Sequence, residues 1–290
     1  MKPPRFEYLV PRTLDEAVAL LAEHGDRARV LAGGQSLIPL LNFRLAQPEV
    51  LVDINRIAEL AYIRADNGGL AIGALARQHA VERSDMVGRR VPIIAEACRL
   101  IGHLPIRHRG TLAGNLAHAD PASELPAVML ALEAQLFVTS KKETRVIPAA
   151  QFFVGALSTA LQPGELLTEV RVPALPAGSG SAFVEMARRA GDYALVGVAA
   201  LLSFDDAGRC RHARVALCGV GPTPIRARDA EQALLGQAPR GNALDEAAHQ
   251  AAAATRPTSD LHGSADFRRK LARHFTRQAL ELAARRAGGA

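Results

Sequence analysis

Two short segments of this sequence have the residue types that bind phosphate through backbone groups. The first is VLAGGQSL at residues 30–37 and the second is TLAGNL at residues 111–116. Each follows an apolar stretch and places hydroxyl and amide side chains beside its glycines. Because glycine has no Cβ atom, several main-chain N–H groups can converge on one anion. Two such segments predict a long ligand held at its pyrophosphate and at a second point, as a dinucleotide would be.

The common motifs for nucleotides, metals and hydrolysis do not occur in the sequence. A P-loop requires Gly-x-x-x-x-Gly-Lys-Ser/Thr, and a Rossmann turn requires Gly-x-Gly-x-x-Gly. The histidines lack the spacing of zinc ligands, and no serine lies in a Gly-x-Ser-x-Gly turn. We therefore predict no metal site and no catalytic acid, base or nucleophile on this chain.

Four motifs follow one another along the chain: AGGQS at 32–36, IRHRGTLAGN at 106–115, ADPASELP at 119–126 and GDYALVGV at 191–198. In this order and at these separations they resemble the FAD-binding medium subunit of the molybdenum hydroxylases. That family includes aerobic carbon monoxide dehydrogenase and xanthine dehydrogenase. The resemblance runs over nearly the whole chain.

The resemblance implies an FAD site in which residues 32–36 wrap the diphosphate, helped by the N-terminal dipole of a helical turn that starts at Leu37. It implies that Glu124 binds the adenosine ribose and that Tyr193 packs against the isoalloxazine ring. The implied cofactor-binding residues are Ala32, Gly33, Gly34, Gln35, Ser36, Leu37, Thr111, Ala113, Gly114, Asn115, Asp120, Ser123, Glu124, Leu167, Asp192 and Tyr193.

Each of these assignments has a simpler alternative. The Gly-Gly pair can serve only as a tight turn, and Thr111 can merely cap the turn that follows it. The acids around Ser123 can be solvated residues beside a helix N-cap. Tyr193 can be ordinary core packing.

The sequence departs from the family pattern at three positions. Ala113 replaces a glycine, which costs about 1–2 kcal/mol if φ must be positive there and little if φ is negative. Glu124 stands where Asp is usual and adds one methylene of reach. Glu185 stands where Lys is common close to the flavin, so a carboxylate would disfavour the anionic reduced flavin and lower its potential.

The first two-thirds of the chain predicts two small lobes. Residues 1–56 contain a capping box at Thr13 and Glu16 before a helix, with strands at 29–32 and 51–54. Residues 57–174 contain a hairpin around Asn67-Gly68-Gly69. Further elements of the second lobe are helices at 78–84, 93–99 and 128–132 and strands at 136–139 and 167–172.

A Pro-, Gly- and Ser-rich linker at 175–181 precedes a C-terminal domain at 182–290. Strands at 182–187, 194–204 and 213–220 predict an antiparallel sheet, and the residues from 227 onward predict helices that cover it. The fold class is therefore α+β. With the resemblance, it is a two-lobed FAD-binding domain of the PCMH-like type followed by a C-terminal domain of a small antiparallel sheet covered by helices.

Charge and hydrophobicity indicate which kinds of binding partner the chain can have. The net charge is +6 and the pI is about 9.7, but much of the excess lies on an amphipathic helical stretch at 267–282. The basic face of this stretch can be exposed to solvent or can bind an acidic partner subunit. No nucleic-acid-binding motif accompanies the charge. No apolar run reaches the roughly 20 residues of a membrane span. No signal peptide is evident, which favours the cytoplasm.

The three cysteines, Cys98, Cys210 and Cys218, lie too far apart in sequence to hold an iron–sulfur cluster. We expect them to be free thiols in a reducing compartment, and any metal centre to sit on another subunit.

The resemblance implies a function in electron transfer. A large subunit with a molybdenum cofactor would oxidise the substrate, and a small subunit with two [2Fe–2S] clusters would pass electrons to FAD on this chain. The implied assembly is a dimer of heterotrimers. A stand-alone flavin oxidase or reductase is one alternative, although no base for it is found. A non-enzymatic interaction module, whose glycine segments are only turns, is the other.

Overall fold

The computed structural model describes residues 2–288. Its strands are β1 (Glu7–Leu9), β2 (Ala28–Leu31), β3 (Val50–Asp53), β4 (Ile63–Asp66), β5 (Gly69–Gly73), β6 (Gln135–Thr139), β7 (Thr144–Pro148), β8 (Phe153–Gly155), β9 (Ser158–Thr159), β10 (Leu166–Val172), β11 (Gly180–Met186), β12 (Val196–Phe204), β13 (Cys210–Cys218) and β14 (Ile225–Arg226).

The helices are α1 (Leu14–His24), α2 (Leu37–Asn42), α3 (Gln78–Arg83), α4 (Asp85–Arg90), α5 (Pro92–Leu100), α6 (Leu104–Arg109), α7 (Leu112–His118), α8 (Glu124–Ala131), α9 (Ala149–Phe152), α10 (Arg228–Leu234), α11 (Asn242–Ala253) and α12 (Ala265–Arg286). Within the described residues, no helix is both long and apolar enough to cross a membrane.

The first sheet has the order β1-β3-β2, and both of its strand pairs are parallel. Helix α1 covers it with Ala17, Val18 and Leu21, which are buried at the spacing of one helix face. Thr13 caps this helix by accepting the N–H of Glu16 at 3.2 Å. The Glu16 carboxylate accepts the N–H of Arg12 at 2.7 Å. Thr13 therefore caps the helix as expected, but the carboxylate of Glu16 accepts the N–H of Arg12 instead of the N–H of Thr13.

The second sheet is antiparallel, with the order β4-β5-β10-β6-β7. The β4–β5 hairpin turns at Asn67 and Gly68, which both have positive φ, as the Asn-Gly signal predicts. Helices α5 and α8 of this lobe pack against each other and against the strands of the C-terminal sheet, and every residue of α8 is buried. The helix expected at 128–132 therefore begins earlier, at Glu124.

The C-terminal sheet has the order β11-β12-β13-β14 and is antiparallel throughout. Along β12, Val196, Val198, Ala200 and Leu202 belong to a core shared with α10, α11 and α12. The alternate residues Ala199 and Leu201 belong to the core of the two preceding lobes. The helices of the C-terminal domain thus cover only one face of this sheet, because α5 and α8 of the preceding domain pack on its other face.

Several element boundaries differ from expectation. Strand β11 begins at Gly180, so the last two residues of the expected linker belong to the sheet. The second glycine segment is the first turn of α7 rather than a loop. Helix α6 and strands β1 and β7 have no counterpart among the predicted elements.

Candidate functional site

The first glycine segment connects β2 to α2 at the carboxyl edge of the parallel sheet. Gly34 has φ of +75°, a conformation that side chains disfavour. The backbone N–H groups of Gly33, Gly34, Gln35 and Ser36 donate to no acceptor within the described part of the chain. Backbone N–H groups without an acceptor in the protein are available to a ligand or to water. The turn therefore presents several free N–H groups at one point.

The second glycine segment is held as a helix N-terminus. Thr111 caps α7 by accepting the N–H of Gly114 at 3.0 Å, and Leu112 donates its N–H to Ala76 O at 3.1 Å. Ala113 is buried inside α7 and is absent from the residues with positive φ. The methyl group therefore causes no backbone strain, and the cost considered for a positive φ does not arise.

The two segments are in direct contact. A Cβ atom at Gly33 would lie 2.5 Å from Arg109 O and 2.7 Å from Gly110 Cα, just before the second segment. The side-chain amide of Asn55 donates to Ala32 O at 2.8 Å, and Arg77 donates to Asn55 Oδ1 at 2.6 Å. The fold thus joins the two segments into one surface, which we call the cradle (residues 32–37 and 111–115).

Asn55 and Arg77 support the cradle through hydrogen bonds. The sequence analysis did not identify either residue. Asn55 follows β3, which is parallel to β2, so both strands end at the same edge of the sheet. That topology is a usable signal, because polar residues after neighbouring parallel strands meet at one edge. Arg77 carried no comparable signal, since it lies between a strand and a helix of the second lobe.

The acidic turn after α7 is fastened to the cradle. Ser123 donates its hydroxyl to Asn115 Oδ1 at 2.9 Å, and Asp120 accepts the N–H of Ala122 at 2.9 Å. Ser123 occupies the N-cap position of α8, but its side chain makes no capping bond. The alternative role of Ser123 as a helix cap is therefore wrong, because its hydroxyl is bonded to the cradle instead.

Glu124 and Glu185 are acids in apolar surroundings. Glu124 is 4% exposed, and its carboxyl accepts a hydrogen bond from its own backbone N–H. Burial, followed by the charge of Glu185, raises the pKa of Glu124 to about 8. Burial also raises the pKa of Glu185 to about 7. Both groups therefore exchange protons near neutral pH rather than near pH 4.5.

Asp120, Asp192 and Tyr193 line one cavity of about 900 Å³ that otherwise belongs mainly to the C-terminal domain. Tyr193 is 61% exposed, so the alternative of core packing is wrong for its side chain. The ring is free to cover a flat ligand, a contact that aromatic side chains favour. No cradle residue lines this cavity within residues 2–288. Helix α7 is about 10 Å long, begins within the cradle and ends two residues before Asp120, which lines the cavity.

Leu167 and Leu37 were expected to bind the cofactor, but neither lies in the cavity that Tyr193 lines. Leu167 is 4% exposed on β10 and belongs to the main hydrophobic core. Leu37 is the first residue of α2 and is half-buried. Leu37 can contact a ligand through its N–H at the helix start, whereas Leu167 has a packing role in this structure.

The arrangement fits an elongated anionic cofactor. The free N–H groups of the cradle suit a diphosphate, and an exposed aromatic ring one short helix away suits a planar ring system. The residues present therefore fit FAD. The cofactor supplies redox chemistry when it is bound, and the chain supplies the binding surface and the charges around it.

Two family models match the chain. The model described as the FAD binding domain in molybdopterin dehydrogenase matches residues 4–175. The model described as the CO dehydrogenase flavoprotein C-terminal domain matches residues 181–283.

Known proteins resemble the chain over almost its whole length. It is 44% identical over 287 residues to the 6-hydroxypseudooxynicotine dehydrogenase complex subunit alpha of Paenarthrobacter nicotinovorans, covering 99% of this chain and 97% of that protein. It is 42% identical over 287 residues to the carbon monoxide dehydrogenase medium chain of Afipia carboxidovorans, covering 99% of each. A solved carbon monoxide dehydrogenase from Hydrogenophaga pseudoflava matches with a TM-score of 0.96 at 42% identity, covering 99% of each chain.

Proposed function

Because the chain belongs to the FAD-binding medium subunits of the molybdenum hydroxylases, we propose that its cradle holds the FAD diphosphate and that the flavin extends along α7 towards Tyr193. FAD is the cofactor of this family, and the chain is the flavoprotein component of an oxidoreductase complex. The observation that carries the assignment is the direct contact between Gly33 and Arg109–Gly110 beside a run of unpaired N–H groups.

Individual residues have distinct roles in this proposal. The N–H groups of residues 33–36 and of Ala113 bind phosphate oxygens, and Asn115 contributes its free amide NH₂. Its carbonyl oxygen is occupied by Ser123, which fixes the side-chain orientation. Glu124 binds the adenosine ribose, Asp120 lines the path from the diphosphate to the ring, and Asp192 and Tyr193 cover the flavin end. All of these residues position and shield the cofactor.

We also propose the partners and the path of electrons. Electrons come from two [2Fe–2S] clusters on a small subunit, which receives them from a molybdenum cofactor on a large subunit. The assembly is a dimer of heterotrimers. The relatives are components of enzymes named for carbon monoxide and for 6-hydroxypseudooxynicotine. Since such similar medium subunits serve different substrates, we assign the choice of substrate to the large subunit.

The proposal also includes the domain boundaries of the chain and its cellular compartment. The two lobes are residues 1–56 and 57–174, the linker is 175–181 and the C-terminal domain is 182–290. The division is supported by four separate sheets, none of which has strands from more than one of these units. We place the protein in the cytoplasm, supported by three buried cysteines that are all free thiols. Fractionation of cells with an antibody against the chain tests this location.

The visible spectrum of the purified chain tests the cofactor assignment. We expect flavin absorption, and FAD rather than FMN in the supernatant after heating. Gly34→Ala forces a side chain into φ of +75° at the cradle, and we expect at least a tenfold loss of FAD affinity. Gly208→Ala has a similar φ of +72° in open space far from the cradle, so it should keep the affinity. A colourless chain that also refuses added FAD would overturn the proposal.

A further inference from the structure

Three consecutive peptide units of the first glycine segment have bonded carbonyl oxygens and N–H groups that donate to no acceptor in residues 2–288. The bonded oxygens are Ala32 O (from Asn55 Nδ2, 2.8 Å), Gly33 O (from Gln35 Nε2, 3.4 Å) and Gly34 O (from Ile38 N, 3.0 Å). A trans peptide places its C=O and its N–H on opposite sides. Each bonded carbonyl therefore fixes the direction of the N–H group that follows it.

The peptide between Ala32 and Gly33 depends most on its side-chain anchor. Ala32 lies after β2 and before α2, so neither a strand nor a helix holds it. Gly33 lacks a Cβ atom, which allows its contact with Arg109 and Gly110. The same property lets the preceding peptide rotate more freely than a side chain would allow. A rotated peptide would turn Ala32 O towards the cradle, where a carbonyl oxygen would repel a diphosphate.

The side-chain amide of Asn55 has only one orientation that satisfies its neighbours. Its Nδ2 atom donates one hydrogen to Ala32 O and the other to Asp53 Oδ1. Its Oδ1 atom accepts a hydrogen bond from Arg77 at 2.6 Å. Because a guanidinium only donates and a carboxylate accepts, the amide cannot exchange its oxygen and nitrogen without losing these bonds. Asn55 therefore always presents an N–H group to Ala32 O.

Arg77 connects this anchor to the second glycine segment. Its backbone forms an isolated antiparallel bridge with Thr111, a residue of the cradle. Its guanidinium donates to Arg109 O as well as to Asn55. Arg109 O is also the atom that a Cβ at Gly33 would approach most closely. One side chain therefore holds both the carbonyl beside Gly33 and the amide that orients the peptide before it.

We propose that Asn55 and Arg77 are positioning residues for the cofactor, which together keep the Ala32–Gly33 peptide turned so that its N–H faces the diphosphate. This role rests on the proposed function, which places the diphosphate at the cradle. Arg77 acts on the peptide through Asn55, so the two side chains form one series of contacts. Loss of either side chain should therefore remove the same orientation.

The FAD affinity of single and double variants of the full chain tests the shared action. Asn55→Leu and Arg77→Met keep the approximate size of each side chain and remove its hydrogen bonds. We expect each to weaken FAD binding about tenfold, because a polar group at the cradle loses its partner. The double variant should bind at most about threefold more weakly than either single variant, since both changes affect one peptide. Losses that add fully in the double variant would overturn the shared action.

Phosphorus NMR of bound FAD distinguishes positioning from a general loss of stability. At saturating FAD, the diphosphate resonances should shift in Asn55→Leu and in Arg77→Met. Arg145→Met is the matched control, because Arg145 also bonds a carboxylate, that of Glu165, and a backbone carbonyl, Ala160 O. Arg145 is neither a cradle residue nor part of the cavity lining, so this variant should keep the affinity and the resonances. Unchanged resonances in the two cradle variants would overturn the positioning role.

Crystal structures of the chain without FAD test the peptide orientation directly. The wild type should have Ala32 O bonded to Asn55, and Asn55→Leu should have this peptide rotated or in two orientations. One identical orientation in both proteins would overturn the proposal even where FAD binds. A wild-type chain that refuses FAD would contradict the proposed function, and the crystal structures would still decide whether Asn55 orients the peptide.

Discussion

A buried carboxyl makes folding depend on pH, and Glu124 is the clearest case in this molecule. Its pKa in the folded chain, about 8, lies above its ordinary value of 4.5. The stabilisation from its neutral form is therefore complete below pH 4.5 and is lost as the pH rises through about 8. Glutamine keeps the shape of the neutral acid and cannot ionise.

We expect Glu124→Gln without FAD to lose less stability than the wild type between pH 6 and pH 9. Urea unfolding at the two pH values measures the change in the free energy of unfolding. Glu143→Gln should behave like the wild type. If the wild type and Glu124→Gln lose stability equally, the burial of an ionisable carboxyl is not the cause.

Gly33 allows a contact that no other residue permits. We expect Gly33→Ala to separate the cradle segments, since its Cβ would meet backbone atoms of Arg109 and Gly110 within 2.7 Å. Overpacking of this kind costs about 1–3 kcal/mol, and FAD affinity should fall at least tenfold. Gly88→Ala is the control, because that helical position has open space around it and should gain about 0.5–1 kcal/mol. Calorimetry and flavin titration of both variants measure the two effects.

At the residue scale, the sequence identified the two glycine segments that the structure brings into contact, and their binding of FAD stays a prediction. Gly33, Gly34, Thr111 and Asn115 stand out in the sequence because glycines beside hydroxyl and amide groups are rare outside turns and binding sites. Asn55 and Arg77 hold the cradle together by tertiary hydrogen bonds. Such bonds depend on which strands become neighbours, and that information is not local to either residue.

At the scale of elements, α7 depends on its cap. Thr111 is 2% exposed and bonds the N–H of Gly114. Thr111→Ala should cost about 1 kcal/mol, measured by urea unfolding, and should weaken FAD binding because the first turn frays. Thr111→Ser keeps the hydroxyl and should retain most of both properties. Loss of stability in the serine variant equal to that in the alanine variant would show that the methyl group, rather than the cap, matters.

Elements with a strong apolar pattern were predictable, and solvated elements were not. Strands β12 and β13 carry many buried residues and were placed within a few residues. Helix α6 has no buried residue, and β7 has one, Ile147. Hydrophobic periodicity is the main signal for secondary structure in a sequence, so elements that bury almost nothing leave almost no signal.

At the scale of the whole molecule, the two domains share a core. Phe183, Ala199, Leu201 and Cys218 of the C-terminal sheet join the core of the FAD-binding domain. Polar contacts cross the same interface: Glu96 accepts the N–H of Phe183 at 3.1 Å and pairs with Arg286 at 2.7 Å. The second covered face of this sheet was not predicted, because a sequence shows that a strand is buried but not what covers it.

We expect the chain to unfold in one cooperative transition, since residues of the C-terminal sheet complete the core of the FAD-binding domain. Differential scanning calorimetry should give one peak whose calorimetric and van't Hoff enthalpies agree. Two separated peaks would contradict the shared core. Unfolding of the chain with FAD should occur at higher temperature and remain a single transition, because the cofactor binds only the folded state.

The contact between Gly33 and Arg109–Gly110 also dictates when the cofactor can be loaded. Its two sides come from different lobes and are far apart in sequence, so the chain must close a long loop before either side is in place. We therefore expect FAD to bind only after the two lobes have folded against each other, so that the cofactor stabilises a structure that the polypeptide has already formed.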